Sequence, residues 1–284
     1  MTTAPFGTRL RAAMDTRGPL CVGIDPHASL LAEWGLGDDV AGLERFTRTV
    51  VDALAERVAV LKPQSAFFER FGSRGIAVLE RAVADARAAG ALVLMDAKRG
   101  DIGSTMGAYA AAYLDPGSPL FSDAVTVSPY LGFGSLRPAL DAARASGAGV
   151  FVLALTSNPE GAEVQHAVGA DGTSVAASVL ASLKAENAGE AAQGRLGSFG
   201  AVVGATLGTA ASRAGAELSI GGPLLAPGIG AQGATPADLP GVFGAAVRDV
   251  LPSVSRGVLR YGPDTASLVE AAARMADEVR AVAE

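Results

Sequence analysis

Short apolar runs punctuate the chain at roughly 19–25, 58–62, 91–96, 123–128, 149–155, 200–205, 223–227 and 252–256. Between most of them lie Ala-rich stretches whose apolar positions recur every three or four residues. Within 40–56 these positions are Leu43, Phe46, Val50, Val51 and Leu54, and 72–90 and 264–283 repeat the pattern with Arg, Asp and Glu opposite. That spacing predicts amphipathic helices with one stripe turned to a core. The consecutive apolar runs predict parallel strands covered on both faces.

Eight strand–helix units in about 260 residues suit a closed (β/α)8 barrel of the TIM type better than an open sheet. The alternative is a doubly wound, Rossmann-like sheet. The first strand-to-helix junction, Asp25-Pro26-His27-Ala28, lacks the G-x-G-x-x-G turn that such a sheet would carry. Ahead of the first strand, Phe6, Leu10 and Met14 share a helical face, which predicts a short helix closing the barrel's bottom. The longest departure from the repeat is 158–199, opened by the turn Asn158-Pro159-Glu160-Gly161. It predicts a long active-site loop and then a helix near 174–187. Residues 1–284 read as one barrel domain.

Composition narrows the function. With 49% hydrophobic and 18% charged residues the chain can bury a large core. Its net charge of -6 argues against a general binder of nucleic acid or membrane surfaces. No apolar stretch is long enough to predict a membrane span, and Met1 to Arg17 lacks a signal-peptide core, so the cytoplasm is the expected compartment. Cys21 is the lone cysteine and lies in an apolar run, which predicts a buried small side chain rather than a reactive thiol. Of the two histidines, His27 reads as a loop residue and His166 as exposed. With no His/Cys cluster, no metal is expected. Trp34 is expected to pack beneath the first helix, and Lys184 to lie on the solvated surface near Glu186.

The chemistry collects at the ends of the predicted strands, which line the active face of a barrel. These ends carry Asp25, Lys62-Pro63-Gln64, Asp96-Ala97-Lys98, Thr156-Ser157-Asn158, the glycine-rich run from Pro227 to Gly233, and Ser255-Arg256-Gly257. Only three of the 23 basic residues are lysines, and two of those, Lys62 and Lys98, stand here. Lysine can surrender a proton where arginine cannot. Asp96 and Lys98 are two apart and would point the same way on an extended strand. Lys62 would lie one strand spacing away, on the order of 5 Å. Asp101 and Thr105, four apart, share a face if a helix begins near Gly103. The expected result is an alternating row of Lys62, Asp96, Lys98 and Asp101, each charge holding its neighbours ionised. Such a row suits a substrate that loses a carboxylate and leaves a carbanion for an ammonium to stabilise and protonate. Gly228, Gly230 and Gly233 would let backbone amides approach a phosphate, with Arg256 adding a charged fork.

The segment from Met95 to Thr105, with Asp96-x-Lys98-x-x-Asp101-Ile102 at its centre, resembles the signature of the orotidine 5'-monophosphate decarboxylase family. With Gly23-Ile24-Asp25-Pro26-His27 it resembles the family's longer bacterial subgroup, and the likeness covers nearly the whole chain. The resemblance implies that Lys98 protonates C6 of the pyrimidine and that Asp96 crowds the departing carboxylate. It implies that Lys62 and Asp25 contact the ribose and that Ser157 reads the pyrimidine edge. Asp101 and Thr105 would enter the partner's site in a homodimer, and Ile102 beside them is a further substrate-binding candidate. Gln232 and Arg256 would hold the phosphate, with Pro227, Gly228 and Gly230 as substrate-binding candidates in the loop beside them. The resemblance implies no cofactor. Arg256 is preferred to Arg260 because Val254-Ser255-Arg256-Gly257 is similar to the family's ending of strand eight. Two other readings stand beside this one: a Mg2+-dependent sugar-phosphate aldolase or decarboxylase of the same superfamily, and a non-catalytic binder of phosphoribosyl ligands.

Overall fold

In the computed structural model, which describes residues 4–209, 211, 214–230 and 233–283, the eight apolar runs become eight parallel strands of one closed barrel. They are β1 (Cys21–Ile24), β2 (Val60–Pro63), β3 (Leu92–Arg99), β4 (Ala124–Val127), β5 (Gly149–Leu155), β6 (Phe199–Val203), β7 (Leu224–Pro227) and β8 (Val250–Val254). Strand order follows chain order, and β8 closes on β1 with Cys21 opposite Ser253 and Val22 opposite Val254. The last strand begins two residues earlier than the apolar run suggests. Pro252 has no N–H to donate, yet it sits mid-strand opposite Ala226. Ser255 and Arg256 therefore fall beyond the strand.

Alternation along the strands separates two cores. Cys21, Val60, Leu92, Leu94, Ala124, Phe151, Val202, Leu225 and Leu251 pack with Phe6, Leu10 and Met14 of the helix Phe6–Arg17. This is the barrel interior with its bottom plugged by the first helix, as the sequence predicts. The intervening residues, among them Val22, Leu61, Val93, Val125 and Val152, join the larger cluster shared with the surrounding helices. Two residues up the barrel from Val60, Leu94 and Ala124 stand Lys62, Asp96 and Thr126, all buried. The inward layer thus turns from apolar to polar at the C-terminal mouth.

A second polar device holds the opposite end. The buried Asp123 carboxylate accepts from the amide of Val93 at 2.9 Å, from Arg9 Nη1 at 2.5 Å and from Arg87 Nε at 3.4 Å. It ties the plugging helix and the helix Gly72–Ala88 to the start of β4. Asp123→Ala is expected to lower the unfolding free energy by about 3 kcal/mol, because a buried amide and two partly buried guanidinium groups lose their acceptor. Urea denaturation measures this. A change below about 1 kcal/mol would mean that water satisfies all three donors.

Segment 158–199 folds as short turns, a bridge between Val168 and Ser174, and then the helix Val175–Glu186. Ser174 Oγ accepts from the amide of Ala177 and starts that helix where the sequence places it. Lys184 reaches Glu217 at 2.7 Å rather than Glu186. Glu186 is taken by the guanidinium groups of Arg137 and Arg144. Arg137 above all holds its carboxyl down at about 2. Trp34 is buried with its ring 4.4 Å from that of Phe46, on the helix Val40–Leu54, and donates to Leu259 O at 2.9 Å. The ring of His27 meets Phe67 edge-on at 4.4 Å, and His166 is exposed. Burial pushes the Cys21 thiol up to about 12, so it behaves as a small apolar side chain. No described helix is long and apolar enough to cross a membrane.

Candidate active site

At the mouth of the barrel Lys62 Nζ donates to Asp96 Oδ2 at 2.9 Å, and Lys98 Nζ donates to Asp96 Oδ1 at 2.6 Å. Gln64 Oε1 lies 3.4 Å from Lys98 Nζ. Backbone register sets Asp96 opposite Gln64, so the long Lys62 side chain meets it diagonally. Burial alone would push the Asp96 carboxyl up, but the two ammonium groups overcome it and hold the carboxyl well below the usual range. Burial likewise works against the Lys62 charge, yet Asp96 and then Asp25 raise its pKa above the ordinary lysine value. The result is a fixed cation–anion–cation array sealed on its Lys62 side.

The strand does not stay extended through this array. Lys98 has φ +49°, the only positive φ at a non-glycine among the described residues, and the β3–β4 register shifts between Met95 and Arg99. Simple alternation therefore does not bring Asp96 and Lys98 together; a bulge does. The bulge is pinned from β4. Lys98 N donates to Thr126 Oγ1 at 3.0 Å, Thr126 Oγ1 donates to Asp96 Oδ1 at 2.9 Å, and Ser128 N donates to Arg99 O at 2.7 Å.

Within one chain the array has three charged members rather than four. The Asp101 carboxylate accepts from the amide of Ile102 at 2.8 Å, its one hydrogen bond among the described residues. The helix Gly103–Leu114 starts where expected, and Ile102 and Thr105 are exposed at its beginning. Asp25 follows β1 directly. Its Oδ1 and the Oγ of Ser255 are buried without a hydrogen-bond partner among the described residues. The two side chains are neighbours, because a β-carbon on Gly23 would stand 2.9 Å from Asp25 Oδ2 and 3.1 Å from Ser255 Cβ. Ser157 follows β5, with its Cβ 3.2 Å from where a β-carbon of Gly204 would lie.

The loops after β7 and β8 touch, since a β-carbon on Gly230 would lie 3.8 Å from Gly257 Cα. Beyond Pro227, Gly228, Gly230 and Gly233 all have positive φ, which explains glycine at each. Gly230 N and Gly233 N donate inside this loop, to Ala234 O and Gly230 O. These two glycines shape the turn and do not present open amides, which revises the role expected of them. The Arg256 guanidinium has no hydrogen bond or ion pair among the described residues, whereas Arg260 donates to Tyr261 Oη at 3.1 Å and stacks on its ring. Gln232 lies outside the described residues.

A family model described as the orotidine 5'-phosphate decarboxylase / HUMPS family matches residues 18–272. The chain belongs to that family. It is 75% identical over 276 residues to the orotidine 5'-phosphate decarboxylase of Streptomyces coelicolor, covering 97% of each chain. Against the enzyme of that name from Salinispora arenicola it is 62% identical over 277 residues, again covering 97% of each. A crystal structure from Streptomyces avermitilis superposes with TM-score 0.96 at 74% identity, covering 100% of this chain and 97% of that one. The OMP decarboxylase of Leishmania donovani superposes with TM-score 0.75 at 31% identity, covering 98% and 99%.

For this family member, sequence reasoning missed Thr126 and left Gln64 without a role. A signal for Thr126 was present: it is the polar residue in the run Ala124-Val125-Thr126-Val127. It lies two residues beyond an inward-facing alanine, in the same layer as Lys62 and Asp96.

Proposed function

We propose that this chain decarboxylates orotidine 5'-monophosphate to uridine 5'-monophosphate and carbon dioxide, the step of pyrimidine synthesis for which its relatives are named. The observation that carries the reading is the Lys62–Asp96–Lys98 array at the mouth of a barrel of this family. The bond from C6 to the carboxylate carbon breaks, carbon dioxide leaves, and the electron pair stays on C6. Lys98 stabilises that carbanion as an ammonium, then transfers a proton to C6 and becomes a neutral amine. Its side chain is 44% exposed, so solvent can return the proton. Asp96, held ionised, repels the substrate carboxylate in the ground state. Lys62 and Asp25 take the ribose hydroxyls and Ser157 the pyrimidine edge. Gln232 and Arg256 hold the phosphate, with Pro227, Gly228 and Gly230 forming the wall. Arg256 is favoured over Arg260 because Tyr261 already engages Arg260.

The working form is a homodimer in which Asp101, Ile102 and Thr105 complete the partner's array. Ile102 (62%), Tyr130 (76%) and Leu131 (52%) are large apolar side chains left exposed after β3 and β4, which supports an interface there. The chemistry needs no metal, since both oxygens of Asp96 are already bonded to ammonium groups.

Ultraviolet monitoring of orotidine 5'-monophosphate with purified, folded protein tests the reading directly, and turnover is expected to survive EDTA. A loss above about tenfold that Mg2+ restores would favour the aldolase-like alternative. Arg256→Ala is expected to lower kcat/KM for the nucleotide by on the order of 10²-fold, and far less for the phosphate-free nucleoside. Equal loss on both substrates would remove Arg256 from the phosphate site.

A further inference from the structure

We propose that Thr126 is a positioning residue for the reaction, its single hydroxyl setting both the Asp96 carboxylate and the backbone of Lys98. The inference rests on the catalytic reading of the array. The hydrogen positions follow from the partners. The amide of Lys98 can only donate, so Thr126 Oγ1 accepts from it at 3.0 Å. The ionised Asp96 carboxylate can only accept, so the one hydroxyl proton goes to Oδ1 at 2.9 Å. Asp96 Oδ1 then receives the hydroxyl and Lys98 Nζ, while Oδ2 receives Lys62. Three donors from β2, β3 and β4 thereby hold both oxygens and orient the carboxylate in its plane.

The second half of the role concerns strain. A lysine at φ +49° persists only where its surroundings over-determine it. Bonds at Lys98 N and Arg99 O hold the bulge from either side, and the first of them ends on Thr126. Thr126 is buried and β-branched, so its hydroxyl sits on a side chain with little rotational freedom. One rigid group thus sets the distance between the anion and the cation, without itself being bonded to the Lys98 ammonium.

Thr126→Val keeps the shape and removes both bonds; Thr126→Ser keeps both bonds. The Val variant is expected to lose on the order of 10²-fold in kcat with KM little changed, and the Ser variant to stay within about threefold of wild type. Protein carrying 13Cε-labelled lysine supplies a second readout, because the chain has only Lys62, Lys98 and Lys184. The Lys62 and Lys98 signals should move in the Val variant and hold in the Ser variant, with Lys184 unmoved in both. Thermal unfolding verifies that each variant is folded. Should the Val chain not fold, Thr126→Cys, with weaker versions of both bonds, takes its place in the same comparison. A folded Val or Cys variant with wild-type kcat, a loss confined to KM, or a Ser variant as impaired as Val would overturn the proposal. Failure of the proposed function would show instead as wild-type protein without turnover, and the lysine spectra would still decide the role of Thr126.

Discussion

Lys98→Ala is expected to reduce kcat by at least about 10³-fold, with the barrel still folded. Two contributions vanish together: the cation beside the developing carbanion and the proton that quenches it. Lys98→Arg is expected to remain nearly as poor, because a guanidinium keeps the charge and does not release a proton at ordinary pH. Near-normal turnover in the Arg variant would limit Lys98 to an electrostatic role. The backbone adds a second, independent check. With φ +49° at this position, glycine fits the bulge better than any other residue. Lys98→Gly should therefore be inactive yet at least as stable as Lys98→Ala, by about 1 kcal/mol. A Gly variant less stable than Ala would mean that the left-handed backbone carries no strain.

The second large effect is a recovery of activity. If each site takes Lys62, Asp96 and Lys98 from one chain and Asp101 and Thr105 from the other, homodimers of Lys98→Ala and of Asp101→Ala each have two defective sites. A mixed dimer places both lesions in one site and leaves the other wild type. Random reassembly makes about half the dimers mixed, so roughly a quarter of wild-type activity per total site should return. The subunits are dissociated, mixed and reassembled, with exchange followed by tagging one variant. Exchange without recovery would assign Asp101 to its own chain's site. In the single chain Asp101 accepts from the amide of Ile102 and bonds neither Lys62 nor Lys98.

Much of this site was legible in the order of residues. Strand ends in a barrel converge on one face, so Asp25, Lys62 and Asp96 could be placed together once the eight apolar runs were recognised. The plug formed by Phe6, Leu10 and Met14 was equally readable, because helical spacing before the first strand leaves one apolar face to bury. Thr126 was not singled out, since a lone threonine in a valine-rich run is an ordinary strand residue until its layer in the barrel is known. The direction of the Gly230 and Gly233 amides is not legible in the sequence for a related reason. Glycine permits a backbone path, but whether the amide then faces inward or outward depends on loop bonds that no local pattern encodes.

By itself the sequence determined what is periodic or compositional: the alternation that makes a barrel, its polar upper rim, and two lysines among many arginines. Tertiary structure decided what depends on contacts between distant segments. The bulge that turns Lys98 toward Asp96 needs a partner on β4, about 30 residues away in the chain, and Lys62 reaches Asp96 only because β2 and β3 pair in one register. Periodicity is a property of neighbours along the chain, whereas register and strain are settled by which distant groups satisfy one another's hydrogen bonds.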